Sequence, residues 1–262
     1  MKIFNLEAGG ARAEVVPERG GLITQFSAGG DQVFYLDRET LAHPAKNVRG
    51  GVPILFPCAG KLEGGPYPLR QHGFAREMAF AVVRARRDRL VMELASTAET
   101  RAMFPFDFVL GLTVTLEERS LELGISVTNT GAVPMPVHFG LHPYFRVPVD
   151  AKAQASVQSE AKRAFDNTRG VVVDYVAPDF SQGETDLHLL DHPGHEATLR
   201  APGLDPRRIE WDAFMPVLVL WTQPAKDFIC VEPWSASAGE LKTPTRWAAP
   251  GETVGGVFRV SV

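Results

Sequence analysis

LGLTVTLEERSLELGISVTN, residues 110–129, carries the clearest signal for the fold. Leu110, Leu112, Val114 and Leu116 alternate with Gly111, Thr113 and Thr115. After a polar turn at 117–120, Leu121, Leu123, Ile125 and Val127 alternate with Glu122, Gly124, Ser126 and Thr128. Successive side chains of a strand point to opposite faces, so each arm has one apolar and one polar face. The stretch reads as an antiparallel hairpin with one buried face, closed by the turn Asn129-Thr130-Gly131.

Outward from this hairpin, alternating or short apolar runs mark further strands at 13–16, 22–27, 80–85, 90–96, 171–175, 197–200, 208–211, 217–222, 228–232 and 256–262. The basic run 84–87, with Asp88, reads as the solvated tip of a second hairpin. No long stretch keeps a 3.6-residue period, and the best helical candidate is a short turn at 97–103 stopped by Pro105. With 20 prolines and 24 glycines punctuating many short strands, the chain is expected to be all-β, with antiparallel strands in a sandwich or a barrel. One domain over residues 1–262 is expected, since all-β units commonly reach this length. The polar, alanine-rich stretch 148–159 reads as a loop or edge strand. Segments 43–76 and 177–194 read as long irregular connections, and such connections are uncommon in compact domains unless they serve function.

Bulk properties exclude several classes. The net charge is −4 and the pI about 6.0, so nothing favours nucleic acid or an anionic membrane surface. The apolar runs are too short to span a bilayer, and the first twenty residues lack the apolar centre of a signal peptide. The two cysteines, Cys58 and Cys230, make no disulfide framework and read as small buried apolar groups. A cytoplasmic protein is expected, and the oligomeric state is open.

Chemistry is sought in polar residues within apolar strand patterns. In FICVEPW (228–234), Glu232 ends a strand beside Val231 and Trp234. Lost hydration there would raise its pKa and suit it to act as a base near neutral pH. The alternative is a rim glutamate paired with an arginine. In HFGLHPYFRV (138–147), His142 has an unperturbed pKa suited to proton transfer, or it is a satisfied turn histidine. His138, among Pro136, Val137 and Phe139, is more simply a packing residue on the same strand face. Zinc ligation by the pair is disfavoured, because Pro134, Pro136 and Pro143 oppose the helix an HxxxH site needs. His188, His192 and His195 form a loose cluster without a recognised ligand spacing. His72 precedes Gly73 in QHGFAR, and Arg49 and Arg76 offer planar donor forks suited to carboxylate, phosphate or vicinal hydroxyls. Trp211, Trp221 and Trp234 are candidates to stack on a ring, with core packing the simpler use for the first two.

Four motifs in order, VRGGVPILFPCAG, QHGFAR, MPVHFGLHPYF and FICVEPW, resemble those of the aldose 1-epimerase (galactose mutarotase-like) superfamily. The HGFAR and HPYF pieces are similar to its bacterial aldose 1-epimerase-like branch, and RGGVP to its hexose-6-phosphate 1-epimerase branch. The resemblance implies a twisted antiparallel β-sandwich and an isomerase that interconverts the α and β anomers of an aldose. It implies His142 as general acid and Glu232 as general base. It implies His72 and Asp186 as ligands of sugar hydroxyls, with Arg49 and Arg76 lining the pocket and Trp234 beside the substrate. The implied partner is a small sugar or sugar phosphate, with no metal or other cofactor required. A sugar-binding protein without catalysis on the same scaffold is the alternative from another class.

Overall fold

The computed structural model describes every residue except Asp191. The opening hairpin is formed by Phe108–Leu116 and Ser120–Asn129, with Leu110 opposite Val127, Leu112 opposite Ile125 and Val114 opposite Leu123. Along both strands buried and half-buried residues alternate, as the sequence period requires. This hairpin belongs to an eight-stranded antiparallel sheet whose edges are Ser156–Gln158 and Ala81–Ala85. A second eight-stranded antiparallel sheet runs from Val171–Asp174 through Arg163–Asp166, Thr185–Leu189, Val217–Thr222, Phe228–Trp234 and Gly140–Leu141 to Ile54–Leu55. Tyr144–Arg146 also pairs with Phe228–Trp234. A four-stranded sheet of the N-terminal segments completes the main framework. One continuous buried cluster joins Leu110, Leu112, Leu123 and Ile125 of the first large sheet to Leu218, Leu220, Ile229 and Val231 of the second. The architecture is the expected all-β sandwich of antiparallel sheets.

Local chemistry sets the few non-strand elements. Ala98–Met103 is the expected short helix, and a capping box starts it: Thr97 Oγ1 accepts from the Thr100 N–H while Thr100 Oγ1 accepts from the Thr97 N–H. Stretch 148–159 contains a 3₁₀ turn, Val149–Gln154, followed by the edge strand Ser156–Gln158. A second short helix, Arg38–Ala42, was not expected; the Asp37 carboxylate caps it by accepting from the Glu39 and Thr40 N–H groups. Segment 177–194 is not wholly irregular, because Thr185–Leu189 is an interior strand of the second sheet. Its alternation is real, with Leu187 and Leu189 toward the core, but the other face carries Asp186 and His188 and so lacks the apolar run of a central strand.

The strand Phe228–Trp234 is buried along its whole length. Ile229 and Val231 enter the main core, whereas Phe228, Cys230 and Trp234 belong to separate clusters on the opposite face. Gly140 lies opposite Trp234, and a Cβ there would stand 2.5 Å from Trp234 Cδ1. Gly140→Ala is therefore expected to cost about 1–3 kcal/mol through overpacking, measured as a lower urea midpoint at unchanged slope. An unchanged midpoint would mean that the indole yields freely.

Candidate active site

The second sheet's outer face carries a row of polar and aromatic groups, and register explains why they meet. Asp186 lies opposite Trp221, Trp221 opposite Cys230, and Cys230 opposite Tyr144. In the adjoining row His188 lies opposite Val219, and Val219 opposite Glu232. Directly opposed residues on one sheet face bring their side chains into contact range. Loops from segment 43–76 close the other side, so that the long irregular segment forms a wall. The result is a cavity of about 610 Å³. Arg49, His72, Arg76, His142, Asp186, Glu232 and Trp234 all line it.

At its floor His142 Nε2 stands 3.3 Å from Glu232 Oε1. Glu232 is 1% exposed, so it is no rim residue, and its neighbour is a histidine rather than an arginine. Trp234 Nε1 donates to the other carboxyl oxygen at 3.2 Å. Burial pushes the Glu232 pKa well above the usual carboxylate range, with Asp186 adding in the same direction and the Trp234 bond opposing. Burial, reinforced by the Arg76 charge, lowers His142 to about 3. Both groups thus favour their neutral forms, and the pair's one transferable proton rests on the carboxyl. The His142 ring is stacked on Tyr144, with centroids 4.7 Å apart and planes 12° apart, and Trp221 meets it edge-on.

The surrounding groups are held by second partners. His72 sits at φ 69°, an uncommon left-handed conformation for a residue with a side chain, and the Gly60 N–H donates to its Nδ1 at 3.0 Å. In the neutral ring the hydrogen is then on Nε2, which stands 3.2 Å from the Gln71 side-chain amide. Burial, then the neighbouring His142, lowers His72 to about 2. Asp186 accepts from Asn167 Nδ2 at 2.7 Å and lies 3.3 Å from His188 Nε2. Arg76 Nη2 donates to the Gln71 carbonyl at 2.9 Å, and Arg49 Nη1 to Gln223 Oε1 at 3.3 Å.

Some residues fall where the sequence did not put them. His138 is fully buried, but its Nε2 is 3.1 Å from the Ala236 carbonyl and it does not line the cavity; it precedes the strand Gly140–Leu141 instead of sharing a strand face with His142. The loose histidine cluster divides: His188 faces the cavity, while His192 packs edge-on against Trp211. Trp221 lines the cavity and donates to Glu184 Oε1 at 2.9 Å, so core packing is not its use. Tyr144, His188, Lys61 and Glu184 were given no role from sequence. For His188 the signal was present, since it stands two residues along the strand Thr185–Leu189 from Asp186 and so shares its face.

The family profile described as Aldose 1-epimerase matches residues 2–254. Protein LacX of Lactococcus lactis subsp. lactis is 28% identical over 74% of this chain and 76% of its own length. A protein of Cenchrus ciliaris named "Putative glucose-6-phosphate 1-epimerase" is 30% identical over 49% of this chain and 42% of its own. Among solved structures, the Slr1438 protein of Synechocystis sp. PCC 6803 superposes with a TM-score of 0.94 at 30% identity, covering 99% of this chain and 95% of that one. A galactose mutarotase related enzyme from Lactobacillus acidophilus superposes at 0.81 with 20% identity, covering 99% and 97%. No helix among the described residues is long and apolar enough to cross a membrane.

Three buried histidines give the fold a pH signature. Histidine in the unfolded chain titrates near 6.5, whereas burial holds His138, His142 and His72 at about 4, 3 and 2. Their contribution is complete above pH 6.5 and is lost as pH falls below it, because the unfolded chain then takes up protons the folded chain refuses. Each is expected to remove roughly 1 kcal/mol per pH unit between pH 6 and 4, and Glu232, whose raised pKa works in the opposite sense, offsets about one of the three. Urea unfolding across that range tests this, and a flat stability would contradict it.

Proposed function

The chain belongs to the aldose 1-epimerase family, and on that premise we propose that it interconverts the α and β anomers of an aldose by acid/base ring opening and closure. It is an isomerase of carbohydrates. The observation that carries the proposed mechanism is the 3.3 Å approach of His142 Nε2 to Glu232 Oε1 at the floor of a cavity of sugar size. The C1 hydroxyl oxygen and the ring oxygen of an aldose are bonded to the same carbon. The groups that exchange protons with them must therefore stand close together, as this pair does.

Glu232 takes the proton of the C1 hydroxyl, and His142 gives one to the ring oxygen. The C1–O5 bond breaks and an aldehyde forms. Rotation about C1–C2 presents the other face, and closure reverses both transfers, so that the enzyme is returned unchanged. Substrate binding readies the pair. A C1 hydroxyl donating to Glu232, together with the Trp234 N–H already donating, stabilises the carboxylate and shifts the proton onto His142. Asp186 is suited to accept from a ring hydroxyl, and His72, whose Nε2 meets the Gln71 side-chain amide at 3.2 Å, is suited to exchange that contact for a second hydroxyl. Trp221 and Trp234 flank the ring with apolar surface. A neutral substrate and a reaction without redox change ask nothing of a metal or nucleotide, so the acid/base pair suffices.

A hexose phosphate is the second reading, favoured by the cationic side of the cavity, where Arg49, Arg76 and Lys61 all line the wall. Guanidinium forks bind a phosphate dianion through charge-assisted bonds.

Glu232→Gln and His142→Asn are each expected to lower kcat about 10²–10⁴-fold, read by exchange NMR on glucose, galactose and glucose 6-phosphate above the spontaneous rate. Wild-type rates equal to buffer for all three sugars would contradict the activity. Calorimetric binding of the same sugars without turnover would establish the non-catalytic alternative. Arg49→Ala is expected to raise KM for glucose 6-phosphate about tenfold or more, in line with loss of one charged hydrogen bond, and to spare glucose. Equal effects on both sugars would remove the phosphate reading.

A further inference from the structure

Cys230 does not itself line the cavity, but its thiol lies close to the His142–Glu232 pair that does, and acid/base chemistry has no use for it. It stands two residues before Glu232 on the same strand face, opposite both Trp221 and Tyr144. It is fully buried, and burial, then the Glu232 charge, pushes its thiol far above the ordinary range. Its surroundings are more specific than those of a packing residue. One ligand atom each from His142, Cys230 and Glu232 lies within 4.8 Å of the others, and among the described residues this is the group of metal-ligating side chains that converges.

We propose that His142, Cys230 and Glu232 form an inhibitory site for a thiophilic divalent cation such as Zn²⁺, which binds in competition with the sugar. The inference rests on the acid/base roles given to His142 and Glu232, since a metal on those two atoms removes both. Imidazole nitrogen, thiolate and carboxylate are the ligand types zinc takes, with bonds of about 2.0–2.3 Å that set tetrahedral neighbours roughly 3.5 Å apart. His142 Nε2 and Glu232 Oε1 already meet that spacing at 3.3 Å. Cys230 Sγ lies within 4.8 Å of both and joins them by a side-chain shift. His142 and Glu232 both line the cavity, which gives an entering ion access to them.

Charge favours the complex in a buried place. Zn²⁺ displaces one proton from the thiol and one from the carboxyl, both to solvent, and the ion with its two anionic ligands is neutral. A neutral cluster escapes the large cost of an unpaired buried charge. Lys152 assists, because its ammonium, held by Thr222 Oγ1 and the Gln223 carbonyl at 2.7 Å each, lowers the cost of ionising Cys230. The same cation keeps the site from being a permanent zinc centre, as it repels the metal.

Cobalt is the direct probe. Metal-free protein titrated with Co²⁺ is expected to develop a near-ultraviolet thiolate-to-cobalt band at one equivalent per chain. The band is expected to persist in Cys58→Ala and to vanish in Cys230→Ala and Cys230→Val. Zn²⁺ is expected to inhibit epimerisation competitively, with reversal by a chelator. The inhibition constant should rise about tenfold or more in Cys230→Ala, a loss at least as large as that of an outer metal-site partner, while the metal-free rate stays near wild type. A cobalt complex without the band, or inhibition equal in Cys230→Ala and wild type, would overturn the assignment. If no sugar is turned over by metal-free protein, the acid/base reading fails while the cobalt spectrum still decides the site.

Discussion

A carboxyl group taken almost wholly out of water governs the arrangement of this protein. Glu232 sits in a strand that is buried on both faces, with Ile229 and Val231 in the core behind it. An isolated carboxylate in that position is unsustainable, so the group either keeps its proton or finds partners. Here it does both. Burial holds the proton on, the Trp234 indole supplies a hydrogen bond, and His142 stands 3.3 Å away, the distance on which the proposed proton transfer rests. The reactivity assigned to the site is therefore a consequence of how deeply the strand is buried.

That burial is in turn a product of the sheet. Phe228–Trp234 is an interior strand, flanked by Val217–Thr222 on one side and by Gly140–Leu141 and Tyr144–Arg146 on the other. Because opposed residues share a face, the pairing assembles Asp186, Trp221, Cys230 and Tyr144 in one row and His188, Val219 and Glu232 in the next. The neighbours of His142 are set by the same geometry: Tyr144 stacks on its ring and Trp221 meets it edge-on. Such a cage keeps the imidazole buried, where the Arg76 charge further disfavours its protonated form, and the cavity wall also carries the charged groups Arg49, Lys61 and Glu184.

Much of this was legible in the chain. Period-two alternation marked strands wherever one face met the core and the other met solvent, as in 110–129. It failed where the second face met the site. Thr185–Leu189 has the right period, yet Asp186 and His188 gave it the look of a loop. His138 and His142 are equivalent by spacing, but His138 precedes the short strand Gly140–Leu141 and turns to the Ala236 carbonyl, while His142 follows that strand and faces Glu232. Trp221 read as a core residue because tryptophan usually is, and only pairing with the strand that carries Glu232 put it beside the cavity, whereas Cys230 is the buried group the sequence suggested.

The sequence by itself determined the kind of architecture and the kinds of groups available. Alternation with a buried face is a local property, and so is the presence of a glutamate after FICV and a histidine before PYF. Tertiary structure decided which of these groups meet. Residues 142 and 232 are ninety positions apart, and no local rule brings their side chains to 3.3 Å. Register across a sheet does so, because a shift of one residue would turn Glu232 toward the core. The same burial that register imposes then sets which of the two holds the proton.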